Sequence, residues 1–538
     1  MFIKKIPLLL AACALQLGIA SIAGASQSSD DQAVKETAEE LQALRARVDA
    51  LQRRLDALTA DQQQTKAEAD AAAAQAAVAE GEGAAIPAQA RIAVDAEKPK
   101  TDKIYYKGVT ITLGGFLAAE YIYRQHNQQN DISTNYSAVP YPNSSLGHVD
   151  ELRFTARQSR ISALMEVDPD SQTHLGFYSE FDFQGAAQTA NSIESNSYTP
   201  RVRHLYGTID WDQLGLHLLA GQAWSLVTMN SKGITPRNEV IPPTIDGQYI
   251  PGFSQTRQPQ IRLIKDFDRQ VWLAVSLENP QTTFYTGANA LPASVHLTYD
   301  ATGGEGFDSV NTLSLNHIPD VVAKAVYDPR IADRTLHLEA FGLYRSFYER
   351  LNYTNRNVSG EGFGAGLIVP VVPSVLDFQM SGLAGKGIGR YGSAQLTDVT
   401  FDPTGNIRPI NEIQALAGLV LHATPKFDVY LFFGEEKESA QAYTLATGSG
   451  LVQYGYGNPG YSNTGCFSET AVGACVGNTR LIEQGTSGFW YSPYIGSFGR
   501  FQYGMQYSYT ERKAFDGIGG APIGNQNMVF ASFRYYPF

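Results

Sequence analysis

The side chains in this sequence best placed to act on a solute are arginines set in alternating segments. Around position 160, Ile161, Ala163, Met165 and Val167 alternate with Gln158, Arg160 and Ser162; around position 260, Ile261 and Leu263 alternate with Gln260 and Arg262. Residues two apart on a strand share a face, so Arg160 and Arg262 stand opposite an apolar face. A third such segment carries Arg201, Arg203 and His204 at ambiguous parity, and Arg157 and Arg257 lie close to these groups in sequence. Guanidinium groups gathered on one wall present fixed positive charge and paired donors to carboxylates and phosphates. Their chemistry is to bind or guide an anion. The stretch from Ser225 to Arg257 carries Lys232, Arg237, Glu239 and Asp246 among Asn, Thr and Pro residues, and it is long enough to fold inward. A basic wall facing such a mixed loop creates a transverse field that favours anionic or zwitterionic solutes. Pairing of the same arginines with carboxylates such as Glu180 and Asp182 would instead give a weakly selective wall.

Catalysis finds no comparable support. The sequence has no nucleophile elbow and no paired-histidine zinc motif, so no catalytic residue, metal ligand or cofactor is expected. His337 and Glu339 share a strand face and could handle a proton, but they read more simply as polar wall residues. The net charge of -12 argues against a nucleic-acid partner. Cys13 falls within the apparent leader, which leaves Cys466 and Cys475 as a close pair expected to form a local disulfide. No further His or Cys lies nearby to make them a metal site.

The elements that would carry these residues are short strands. No internal run reaches the roughly 18 apolar residues of a spanning helix, yet 29 Tyr, 26 Phe and 50 Gly suit strands with aromatic girdles and glycine-rich connections. From Arg500 to Arg512, Phe501, Tyr503, Met505, Tyr507 and Tyr509 alternate with Gln502, Gly504, Gln506, Ser508 and Thr510. Short turns near 169–171, 212–213, 266–268, 328–330, 372–373, 424–425 and 497–498 alternate with longer polar loops. These loops fall near 125–149, 185–199, 225–257, 279–317, 347–357, 386–410, 435–485 and 513–524. Seven turns and eight loops join sixteen strands with both ends on the short-turn side. Fourteen or eighteen strands stay open within boundary shifts of a few residues. The expected fold is therefore all-β, a 16-stranded antiparallel transmembrane β-barrel over 105–538. The terminal Phe538, after Pro537, resembles the assembly signal of such barrels, although it falls on the opposite parity to Val529, Ala531, Phe533 and Tyr535.

The first 104 residues read differently. Lys4 and Lys5, an apolar run to about Ile22 and Ala23-Gly24-Ala25 form a signal peptide over 1–25, with a lipobox-like Leu10-Ala11-Ala12-Cys13 as the rival reading. Leu41, Val48 and Leu55 at position a and Leu44, Leu51 and Leu58 at position d give an N-terminal α-helical coiled coil over 26–66. Residues 67–104, rich in Ala and Glu with Pro87 and Pro99, read as a linker.

The coiled coil, together with Arg157-Gln158-Ser159-Arg160, Pro200-Arg201-Val202-Arg203-His204-Leu205-Tyr206-Gly207 and Leu219-Ala220-Gly221-Gln222-Ala223-Trp224-Ser225-Leu226, resembles the DcaP-like trimeric outer-membrane porins. That resemblance implies a homotrimer in outer-membrane lipid and lipopolysaccharide, with the coiled coil in the periplasm and uptake of small anions, notably dicarboxylates. Carried onto this chain, it makes Arg160, Arg201, Arg203 and Arg262 the candidate anion contacts. A phosphate-selective porin is the nearest alternative. A structural or adhesive barrel, its coiled coil bound to peptidoglycan, is the alternative of another class.

Overall fold

A computed structural model describes residues 103–185, 199–284, 295, 297–298, 316–448 and 450–538. The signal peptide, the coiled coil and almost all of the linker lie outside the described residues, as do 186–198 of the second loop and most of the fourth.

Sixteen strands run in chain order: β1 (Val109–Arg124), β2 (Glu151–Thr155 and Arg160–Val167), β3 (Thr173–Gly185), β4 (Thr199–Trp211), β5 (Leu216–Trp224), β6 (Arg257–Phe267), β7 (Val271–Glu278) and β8 (Asp320–Tyr327). They continue as β9 (His337–Leu351), β10 (Thr354–Val372), β11 (Leu376–Lys386), β12 (Asn411–Thr424), β13 (Phe427–Glu438), β14 (Thr479–Gly496), β15 (Gly499–Ala514) and β16 (Ile523–Tyr536). Each pairs antiparallel with the next, and β1 pairs with β16 from Leu117↔Tyr535 to Arg124↔Met528. The ring is closed, so no strand edge is left with unpaired N–H and C=O groups.

Alternation fixes which face each residue takes. On β6, Ile261 and Leu263 are 58% and 44% exposed on the outside, whereas Arg262 between them is 1% exposed on the lumen side. β15 behaves the same way, with Tyr503, Met505, Tyr507 and Tyr509 outward and Gln506, Ser508 and Thr510 buried inward. Short connections gather at one rim and long loops at the other.

One expectation is corrected. The fifth long loop, expected over 347–357, does not exist: β9 and β10 continue through it and join at Asn352-Tyr353. Both residues take positive φ, 47° and 66°, as a two-residue hairpin of the mirrored turn type requires. Polar and charged residues on this hairpin (Arg350, Asn355, Arg356) mimic a loop in sequence but extend the strands beyond the ring.

Loop three (225–256) turns into the barrel and supplies much of its core. Ile245, Tyr249, Ile250 and Phe253 pack with Trp224, Leu416, Tyr430, Phe432, Trp490 and Phe530. At the other end of the loop, Leu226, Val227 and Ile234 pack with Ile264, Trp272, Val322 and Phe341. Wall side chains also hold its backbone. The Leu226 N–H donates to Glu278 (2.8 Å), Asn230 to Glu339 (3.2 Å), Gly233 to Asp328 (2.7 Å) and Gly252 to Glu436 (2.8 Å). Trp490 Nε1 donates to the Pro243 carbonyl at 2.7 Å. Each intramolecular hydrogen bond contributes about 0.5–1.5 kcal/mol net, and together the set fixes the loop. Loop six (387–410) also folds inward and ties to loop three, where Gln255 N–H donates to the Tyr391 carbonyl at 2.7 Å and Gln248 Nε2 to the Ser393 carbonyl at 2.6 Å.

Candidate functional site

With loop three seated on the far wall, the lumen face that keeps solvent contact lies along β2 to β4, where the arginines gather. Arg201 grips Asp182 with two hydrogen bonds, Nε to Oδ1 at 3.0 Å and Nη2 to Oδ2 at 2.6 Å. Arg203 donates to Glu180, to Asp182 at 2.9 Å and to the Tyr249 hydroxyl at 3.2 Å. Arg160 lies 3.8 Å from Glu180, and its guanidinium stands over the Phe116 ring at 5.3 Å. Arg257 stacks on Trp224 at 4.8 Å.

The ambiguous parity of β4 has a structural cause. The register with β3 shifts where Glu180 faces His204 and Phe181 faces Val202, so Arg203 is the extra residue of a bulge. A bulge lets two successive side chains take one face. Arg203 and His204 are accordingly both buried, with Val202 and Leu205 exposed outside.

The remaining candidates spread out. Arg157 sits in the break between the two halves of β2, where Nε donates to the Phe183 carbonyl (3.0 Å), Nη2 to the Gly185 carbonyl (2.8 Å), and Nη1 pairs with Asp131 of loop one at 3.5 Å. Arg262 lies apart from the cluster, under loop three, donating to the Trp224 carbonyl at 2.6 Å and to Gln260. In loop three, Arg237 is exposed and stands 5.7 Å from the Tyr178 ring. Burial pushes the Glu239 carboxyl up, against opposing effects led by Arg262. Burial likewise raises Asp246, whose Oδ1 accepts from Thr134 N–H (3.1 Å) and Gln248 N–H (2.9 Å). Burial acts upward on Tyr249 too, but Arg203, Arg257 and Arg160 outweigh it and bring the phenol down to about 8. Cys466 and Cys475 are disulfide-bonded in loop seven, outside the ring.

Sequence reading missed Arg534 of β16. Its Nη2 donates to Glu120 (3.0 Å) and Gln158 (2.7 Å), and its guanidinium also stands over the Phe116 ring at 4.7 Å. The parity signal was present, since Arg534 follows Ser532 on the face opposite Phe533 and Tyr535. Also missed was the role of carboxylates at the short-turn rim, where His174, His217, His337 and His422 each lie between two of them.

A closed sixteen-stranded antiparallel ring, with short turns at one rim, long loops at the other and an inward third loop, has the porin class of fold. No protein-family model and no curated sequence matches the chain. Among solved structures it is similar to the outer membrane channel DcaP of Acinetobacter baumannii, with a TM-score of 0.56 and 18% identity over 80% of this chain and 99% of that one. It is more distantly similar to an anion-selective porin from Comamonas acidovorans (TM-score 0.41, 10% identity, 80% and 99% covered). The same holds for OmpF of Salmonella typhi in complex with daunomycin (0.42, 9%, 80% and 100%). At these identities the likeness is one of fold.

Proposed function

We propose that the chain is an outer-membrane porin that passes small hydrophilic solutes and prefers anions, with its short-turn rim in the periplasm. The observation that carries this reading is the lumen cluster of Arg160, Arg201, Arg203 and Arg257, where, among the described residues, only Glu180 and Asp182 pair with them. Four guanidinium groups against two carboxylates leave a positive local field, and such a field selects more than the formal charge of the whole chain does. The heptads of 26–66 suit a homotrimer with a periplasmic coiled coil. Dicarboxylates are the favoured solutes because paired oxygens at both ends match paired guanidinium donors.

Planar-bilayer recording of the full chain tests the reading. Conductance in groups of three steps, with an anion-favouring reversal potential, is the expected result. Liposome swelling with dicarboxylates, phosphate and neutral sugars then ranks the solutes. A barrel that inserts without conducting overturns the proposal and favours the adhesive alternative.

A further inference from the structure

The short-turn rim carries a repeated arrangement that the arginine cluster does not explain. His174 on β3 has Nδ1 2.6 Å from Asp168 and Nε2 3.2 Å from Asp212. His217 on β5 has Nδ1 2.7 Å from Asp210 and Nε2 3.0 Å from Asp266. His422 on β12 has Nδ1 2.7 Å from Asp428 and Nε2 3.6 Å from Asp377. In each case the two carboxylates come from different strands or turns, and strand parity turns all the groups toward the lumen. A fourth, His337 between Asp328 and Glu339, is buried under loop three.

A neutral imidazole has one N–H and one lone pair. Placed between two carboxylates, it satisfies one and turns its lone pair toward the other. Both contacts are favourable only when the ring carries its second proton, so a pair of carboxylates holds that proton to a higher pH than the 6.5 of an ordinary imidazole. Such a bridge is a charge that changes by one unit as pH rises past that value. We propose that the Asp–His–Asp bridges at His174 and His217 are a second selectivity element at the mouth, whose negative charge roughly doubles when the two histidines lose their protons. Four carboxylates face two imidazolium groups in the protonated rim and stand alone in the deprotonated one.

The neighbouring charges preserve this swing. Beside His174, Arg269 reaches Asp212 at 3.7 Å, and a polar cavity of about 370 Å3 brings Glu166, Asp210, Lys103 and Arg237 close. Beside His217, Lys265 turns to the Leu214 carbonyl at 2.6 Å, and the ring stacks on Trp272 at 5.5 Å. Beside His422, Lys426 contacts the Pro493 carbonyl at 3.5 Å. The His174 side chain is 40% exposed, so its charge acts on passing solute directly.

The inference rests on the porin reading and adds a prediction of its own. Reversal potentials of the full chain in a KCl gradient are measured at pH 5.5 and at pH 7.5. The anion-to-cation permeability ratio is expected to fall by about three- to tenfold as pH rises, an effect of local charge at the mouth. In a His174→Gln, His217→Gln double variant the ratio should become flat with pH over this range. Should that variant fail to insert, His174→Gln alone, at an exposed position, should remove part of the slope. A conducting channel that ignores pH, or one whose variants keep the full slope, overturns this inference and leaves the porin reading intact. No conductance at either pH overturns both.

Discussion

Arg201 and Arg203 differ more in what they hold than in where they lie. Arg203 serves Glu180, Asp182 and Tyr249 while 3% exposed, so its removal strands buried carboxylates, a loss of about 3–5 kcal/mol. Arg201 touches Asp182 and keeps 35% exposure, which makes it the better probe of the field. Arg201→Ala is expected to lower the anion-to-cation permeability ratio by a few fold. That corresponds to about 1 kcal/mol for a unit charge about 4 Å from a solute in water. Asp182→Asn should move the ratio the other way. Reversal potentials that shift together in the two variants would remove the cluster from the selectivity argument. Tyr249 adds a pH limb of its own. Its phenol, brought down to about 8 by three guanidinium groups after opposing burial, gains a negative charge as pH rises through that value. Anion preference should therefore fall again between pH 7.5 and 9, and Tyr249→Phe should abolish that fall. A Tyr249→Phe channel with the same alkaline limb places the titration elsewhere.

Loop three is the element on which the lumen depends, and its seat has a weak point at Gly252. There φ is +86°, and a Cβ would stand 2.0 Å from the Ala415 carbonyl oxygen and 2.9 Å from that of Glu435. Gly252→Ala must push the loop off β12 and β13, at roughly 1–3 kcal/mol. Single-channel conductance should rise and become noisier; unchanged traces would mean that the loop does not limit the pore. Asp246 offers the opposite test. A carboxyl raised on folding contributes stability below its unfolded value and loses it as pH climbs through the folded one. Asp246→Asn keeps the acceptor for Thr134 and Gln248 without the charge, so it should flatten the loss of heat resistance as pH rises above the ordinary carboxylate range. A variant that tracks the parent across that range counts against burial as the cause.

The same elements mark how far the sequence could be read. β15 and β6 were legible because one face meets an apolar surrounding and the other does not, and that contrast is written into every second residue. The Asn352-Tyr353 hairpin was not, because it reaches past the ring into water, where both faces are polar and the turn lacks a glycine. Arg160 could be assigned to the lumen by parity, but Arg203 could not, since a bulge resets parity without any sequence mark. The burial of Arg262 under loop three also escaped, because which wall a loop covers depends on contacts between residues such as Pro243 and Trp490. The histidine bridges were hidden for a related reason. Asp168, His174 and Asp212 become neighbours only through the register of three strands.

At the scale of the whole molecule, the ring closes between Val109 and Tyr536. Every barrel hydrogen bond, every lumen arginine and all four histidine bridges fall within that span. The short Ile104–Tyr106 segment adds a fold-back onto β1, pairing Ile104 with Ile111 through a turn at Lys107-Gly108. A chain starting at Lys103 retains all sixteen strands and the lumen arginines, and lacks the heptads of 26–66. Such a chain is expected to refold in detergent to a heat-resistant form with altered gel mobility and to conduct with the selectivity of the full chain. Its conductance should appear in single steps if the heptads are what join three barrels, and in groups of three if the barrel walls suffice. A truncated chain that aggregates without reaching the heat-resistant form would show that the ring depends on residues before Lys103. The closed hydrogen-bond circuit from β1 to β16 argues against that dependence, because in hydrocarbon an incomplete ring leaves a whole strand edge unpaired.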